Sequence, residues 1–197
     1  SHPFTGVGFD AFGDWYRRTR RETALKIPGV DTVVFITRGS YYITGHELLP
    51  QRKVMFREWP TDSSQLPTIK ERALIFRKSL QKTADLYTHQ GKKVFIVSEN
   101  PELPFNVKSC ANFGVPRALS SHYCAPQSKS EVLKRQQLAR DVWKSISGAT
   151  YIETLDLFCP TEKCNYLQSG TLLYSDDDHL SKVGSVLQAE RIGQFVN

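Results

Sequence analysis

The segment Tyr174 to Gly184 reads YSDDDHLSKVG and places an aspartate, Asp176, three residues ahead of a histidine, His179. In a tight turn before a helix, that spacing lets a carboxylate fold back onto one imidazole nitrogen while the other nitrogen faces a nucleophile. Such a bond fixes the tautomer of the ring and stabilises the imidazolium formed during attack. The positive end of a following helix opposes protonation and favours a neutral, basic ring at rest. Two other uses of the same residues compete. Asp176, Asp177 and Asp178 beside a histidine could ligate a metal, although hard-cation sites usually draw oxygens from alternating loop positions and from elsewhere in the chain. The three carboxylates could also form a solvated acidic turn. Neither a metal nor a cofactor is expected.

The cysteines are Cys110, Cys124, Cys159 and Cys164, an even count in two pairs close in sequence. Cys159 and Cys164 bracket Pro160 to Lys163 and can close a short loop. Cys110 and Cys124 can staple a stretch with little helical or strand pattern. Zinc is the rival use, but neither pair has the spacing of a zinc knuckle and no histidine lies at ligand spacing beside them. Two disulfides are expected, and they imply an oxidising compartment such as the periplasm.

Positioning these groups falls to alternating strands and helices. Val30 to Thr37 is a β-branched run with the near-continuous apolarity of a strand covered on both faces. Leu66 to Gln90 then carries Ile69, Ala73, Phe76, Leu80, Ala84 and Tyr87 at helical spacing, one stripe against a core, with Gly91 as its stop. Lys93 to Ser98 reads as a second buried strand, and Glu99 through Gln127 as a loop-rich, proline-containing stretch. A helix from about Ser130 to Ser147 turns Val132, Ala139, Val142, Trp143 and Ile146 inward and stops at Gly148. Thr150 to Leu157 reads as a third strand, and Ser181 can cap a last helix reaching Gln194. This alternation indicates an α/β sandwich around a parallel sheet.

A chain of 197 residues, 40% of them hydrophobic, is long enough for one substantial core, and one domain is expected. No apolar run approaches the roughly 18 residues of a membrane span, and the N-terminus lacks a signal-peptide pattern, so the chain is expected to be soluble with any anchor outside it. The net charge of +6 is densest at Arg17, Arg18, Arg20 and Arg21, beside Trp15 and Tyr16. A solvated helix face is the expected use, with an anionic glycan or membrane surface as the alternative. No nucleic-acid motif accompanies the cluster, and a nucleic-acid partner is not expected.

The block Tyr174 to Gly184 resembles the last sequence block of SGNH hydrolases, where an Asp three residues before a His supplies two members of a Ser-His-Asp triad. It is most similar to the branch fused to acyltransferase-three membrane domains, whose block runs close to Tyr-x-Asp-x-x-His-Leu-Ser. Val33 to Gly45 (VVFITRGSYYITG), Ser98 to Cys110 (SENPELPFNVKSC) and Phe158 through Cys164 resemble further segments of that branch, in the same order. The resemblance implies an SGNH-hydrolase-like, flavodoxin-like three-layer sandwich, with Asp176 as orienting acid and His179 as base. It further implies O-acyl, typically acetyl, transfer to an envelope polysaccharide such as O-antigen on the periplasmic side of the bacterial inner membrane. A membrane-embedded acyltransferase domain would deliver the donor. Two alternatives are a carbohydrate or acetyl esterase of the same fold and, without a nucleophile, a non-catalytic glycan-binding module.

Two features depart from that pattern. The Gly-Asp-Ser strand that carries the family's nucleophile is not visible. Either Ser1-His2 is its remnant, making Ser1 the nucleophile, or Ser1 to Val7 aligns later in the family and both nucleophile and first strand precede the chain. The oxyanion hole lacks its asparagine, because the residues after the first strand read Arg38-Gly39-Ser40. The Gly39 N–H or the Arg38 guanidinium could serve instead, since donors aimed at a developing oxyanion contribute on the order of 3 kcal/mol each. A turn glycine and a surface charge are the alternative. Asn100 and Glu102 sit in a loop after a parallel strand, where open α/β sheets bind ligands, yet Asn-Pro also simply initiates turns. Tyr41, Tyr42 and Trp59 could stack on a sugar face or serve packing.

Overall fold

In the computed structural model, residues 25, 27–45, 67–111 and 124–196 are described. Ser1, the arginine cluster at 17–21 and Trp59 lie outside them. The chain divides into two compact units, Ser1–Val97 with Gln136–Tyr151, and Ser98–Arg135 with Ile152–Asn197.

The first unit is built on β1 (Thr32–Ile36) and β2 (Lys93–Val97), which pair in parallel with Val34 opposite Phe95. With β3 (Ala149–Ile152) they form a three-stranded sheet in the order β1-β2-β3. A short helix, α1 (Gly39–Thr44), follows β1 where a turn was expected. The long helix α2 (Ile69–Thr88) starts at a reciprocal cap: Thr68 Oγ1 accepts the Glu71 N–H (3.3 Å) and the Thr68 N–H donates to the Glu71 carboxylate (2.7 Å). Its apolar stripe behaves as its spacing predicts from Phe76 onward, with Phe76, Leu80, Ala84 and Tyr87 buried. Ile69, in the first turn, stays 44% exposed.

From Gln136 onward, α4 (Lys129–Lys144) adds Ala139, Val142 and Trp143 to the same core, followed by Ile146. Each large side chain fully removed from water there is worth roughly 1.5–3 kcal/mol. Trp143 satisfies its one donor by giving its Nε1–H to Thr37 Oγ1 at 3.1 Å. Gly91 and Gly148, expected as helix stops, take φ of 73° and 74°.

In the second unit, Leu103, Val107, Val132, Leu155, Phe158, Leu173 and Tyr174 surround the Cys159–Cys164 disulfide. The second disulfide joins Cys110 to Cys124, so both expected pairings form. The loop-rich stretch contains a short helix, α3 (Val107–Ala111), and Ser128 with Glu131 forms a second reciprocal cap that starts α4 at Lys129.

The third strand is shorter than its sequence predicts. It ends at Ile152, because Glu153 Oε1 accepts the N–H groups of both Thr154 and Leu155 at 3.0 Å. That carboxylate turns the chain into the single helical turn α5 (Leu155–Phe158), which was expected to be strand. A small hairpin follows, β4 (Leu167–Gln168) and β5 (Thr171–Leu172). Its two turn residues, Ser169 and Gly170, both have positive φ (49° and 80°), the geometry of a two-residue hairpin turn. The last helix, α6 (Lys182–Val196), carries Arg191, which forks onto the Asp156 carboxylate at 2.8 and 3.1 Å. No helix among the described residues is long and apolar enough to cross a membrane. The architecture is α/β, with β1 and β2 paired in parallel.

Candidate active site

The hairpin delivers the chain into a closed loop between β5 and α6. Tyr174 and Leu180 form an antiparallel bridge, and the Ser175 N–H donates to the His179 carbonyl at 2.7 Å. The base of the loop is locked by Ser181, whose N–H donates to the Leu173 carbonyl (2.9 Å) and whose hydroxyl donates to the Leu172 carbonyl (2.6 Å). The same hydroxyl accepts the Gly184 N–H at 3.2 Å, so Ser181 caps α6 as its position predicts. Tyr174 is buried against Phe158, and burial pushes its phenol far above the ordinary tyrosine value, with Asn100 opposing.

Within the loop Asp176 folds back on the backbone two and three residues ahead. Its Oδ1 accepts the N–H of Asp178 at 2.9 Å and of His179 at 2.7 Å, an aspartate turn of the usual kind. Its Oδ2 lies 2.9 Å from His179 Nδ1, and Oδ1 lies 3.1 Å from the same atom. Partial burial works against this carboxylate, yet the backbone N–H groups of His179 and Asp178, and then the His179 ring, overrule it and hold its pKa down to about 2. Asp176 is therefore ionised near neutrality. A charged acceptor at Nδ1 favours the tautomer with its proton there, leaving Nε2 with a lone pair. The His179 side chain is 73% exposed.

In the sequence Asp178 counts only as a possible metal ligand or as a member of a solvated acidic turn. Its carboxylate is instead 5% exposed, and its Oδ1 lies 2.7 Å from His179 Nδ1. The donor atoms of Asp176, Asp178 and His179 fall within 4.8 Å of one another, a spacing that could hold a cation. The contacts between the two carboxylates and the ring account for that closeness.

Asn100 and Glu102 take structural positions in this unit. The Asn100 side-chain amide donates to the Asp178 carbonyl at 3.0 Å, and the Leu103 N–H donates to the Asp177 carbonyl at 2.7 Å, so the 100–103 segment grips the loop from one side. Glu102 forms an ion pair with Arg135, and each side chain is only 6% exposed.

Arg38 and Gly39 belong to the first unit. The Arg38 guanidinium lies 4.4 Å over the Tyr41 ring. Gly39 is buried at the start of α1, where a Cβ would lie 2.7 Å from Trp143 Cζ2 and 2.8 Å from Ala139 Cβ. Close packing is thus sufficient reason for a glycine at that position. Tyr42 stacks toward Phe76 with ring centroids 6.3 Å apart, a core contact.

A family model described as "SGNH domain (fused to AT3 domains)" matches residues 6–194, almost the whole chain and parts of both units. No curated protein matches the chain.

Proposed function

We propose, from the premise that the chain belongs to the SGNH domain family fused to AT3 domains, that it transfers acyl groups to hydroxyls of an envelope polysaccharide. The family supports an acyl-transfer or hydrolase role; the proposed group is acetyl, the proposed acceptor an envelope polysaccharide such as O-antigen, and the proposed place the periplasmic face of the inner membrane. A membrane-embedded acyltransferase domain is proposed to deliver the donor. The two disulfides support an oxidising compartment.

In the first step a serine hydroxyl attacks the acyl carbonyl while its proton passes to His179 Nε2. The leaving group takes that proton as the acyl–serine ester forms. In the second step a sugar hydroxyl attacks the ester and gives its proton to the same nitrogen. The new sugar ester departs and the proton returns to the serine oxygen. Asp176 orients the ring and stabilises its transient positive charge. Arg38 and Gly39 are the proposed oxyanion donors, on the strength of their place after the C-terminal end of β1.

The observation that carries this reading is the 2.9 Å contact between Asp176 Oδ2 and His179 Nδ1 on a ring that is 73% exposed. The same exposure favours a second reading, an esterase, because water reaches such a ring as readily as a sugar does. Both are tested by release of acetate from an aryl ester by the complete protein, with and without oligosaccharide. Turnover accelerated by the acceptor indicates transfer, and acceptor-independent turnover indicates hydrolysis. His179→Ala should abolish either, while Asp176→Asn should keep the fold and lose most of the rate. Unchanged turnover in His179→Ala rejects the site.

A further inference from the structure

We propose that Asp178 is a positioning residue for His179, a second carboxylate held beside Nδ1 that takes over the Nδ1–H when Asp176 cannot accept it. For its consequence in catalysis the proposal rests on the acyl-transfer reading above; for its geometry it does not.

The distances support this role. Asp178 Oδ1 lies 2.7 Å from Nδ1 as an ion-pair contact, while the ring's hydrogen bonds run to Asp176 Oδ2 at 2.9 Å and Oδ1 at 3.1 Å. The two carboxylates are also differently placed. Asp176 is 29% exposed and uses Oδ1 to hold two backbone N–H groups, so it shapes the turn as well as facing the ring. Asp178 is 5% exposed, and a carboxylate so far removed from water needs charge-assisted partners, of which the imidazole is one.

Asp178 is held from three directions. Its carbonyl accepts from Asn100 Nδ2 at 3.0 Å, the preceding carbonyl accepts from the Leu103 N–H at 2.7 Å, and its own N–H donates to Asp176 Oδ1 at 2.9 Å. These bonds fix the Asp178 backbone, and burial leaves its carboxylate little room to turn toward water. The ring, by contrast, is 73% exposed and has little packing to stop it rotating. Carboxylates beside the ring's Nδ1 are what can fix its plane, and two of them restrict rotation more than one.

The test reads the tautomer of His179 in the full chain by nitrogen-15 NMR of the imidazole, at a pH where the ring is neutral, with backbone amide spectra confirming the fold. Asparagine at 176 keeps an Oδ1 for the two backbone N–H groups, so the turn survives the substitution. Asp176→Asn is expected to retain the Nδ1–H form because the Asp178 carboxylate, already 2.7 Å away, takes over that proton. The double variant Asp176→Asn/Asp178→Asn is expected to shift to the Nε2–H form that unrestrained histidine favours. The proposal is overturned if Asp176→Asn alone already shows the tautomer mixture of the double variant, or if the double variant stays in the Nδ1–H form.

Asp178→Asn alone supplies an independent reading. In the complete protein it is expected to lower kcat roughly tenfold at unchanged KM, the size of one weakened charge-assisted contact to the base. An unchanged kcat beside an inactive His179→Ala overturns the proposal. If His179→Ala itself leaves turnover intact, the acyl-transfer reading fails instead, and the tautomer result still decides whether Asp178 holds the ring.

Discussion

Replacing Gly184 by alanine sets two physical effects of opposite sign against each other. On an open helix surface the change would stabilise α6 by about 1 kcal/mol, because alanine is the better helix former. At this position, however, a Cβ would lie 2.1 Å from the Leu173 carbonyl oxygen and 3.1 Å from its carbon. The obstacle is backbone, so it cannot rotate aside as a side chain would. To reach ordinary contact α6 must retreat by about 1 Å. That movement pulls on the two bonds that lock the loop, from the Ser181 N–H to Leu173 (2.9 Å) and from the Ser181 hydroxyl to Leu172 (2.6 Å). With about 1 kcal/mol for each bond and about 1–3 kcal/mol of overpacking strain, the clash wins and Gly184→Ala is destabilised by about 2–4 kcal/mol. For a chain of this size the melting temperature should fall by roughly 5–15 °C. Urea unfolding followed by circular dichroism measures the first quantity and a thermal melt the second. Equal or higher stability in the variant would refute the reasoning, since it would mean that α6 does not seat against Leu173.

Three further outcomes are expected. Glu102→Gln should cost about 3–5 kcal/mol in urea unfolding by leaving the buried Arg135 guanidinium facing a neutral amide, and replacing both residues by apolar ones should cost less than the single change. Asp176 has an ordinary value of 3.8 and a folded pKa of about 2, so it stabilises the fold above the unfolded value and that stability is lost as pH falls through about 2. The gap corresponds to at most about 2–3 kcal/mol, which solvent screening of a carboxylate 29% exposed reduces to about 1 kcal/mol; Asp176→Asn should therefore show a shallower loss of stability between pH 4 and pH 2 in acid-unfolding curves. Replacing Cys159 and Cys164 together by serine should lower stability by roughly 2 kcal/mol or more, read as a lower urea midpoint, because a short closed loop is released and two hydroxyls enter a buried cluster.

Much of this arrangement was written in local sequence. The β-branched runs that became β1 and β2, the stripe from Phe76 to Tyr87 on α2 and the helix stops at Gly91 and Gly148 all follow from periodicity and glycine placement. The caps Thr68/Glu71 and Ser128/Glu131 are also legible as Thr-x-x-Glu and Ser-x-x-Glu, and so is the return of Asp176 onto His179. These features depend on residues within a few positions of one another, so spacing alone specifies them.

Other features required atoms brought together from distant parts of the chain. The early end of β3 depends on the Glu153 carboxylate, to which the Ser98 hydroxyl donates at 3.1 Å, and the packing need for Gly39 on Trp143 and Ala139 arriving beside it. Spacing to His179 marks out Asp176 among the three aspartates, but nothing in the letters separates Asp178 from Asp177. Only the folded loop, gripped by Asn100 and Leu103, removes Asp178 from water and sets it against the ring, because desolvation is a property of everything around a group and not of its neighbours in sequence.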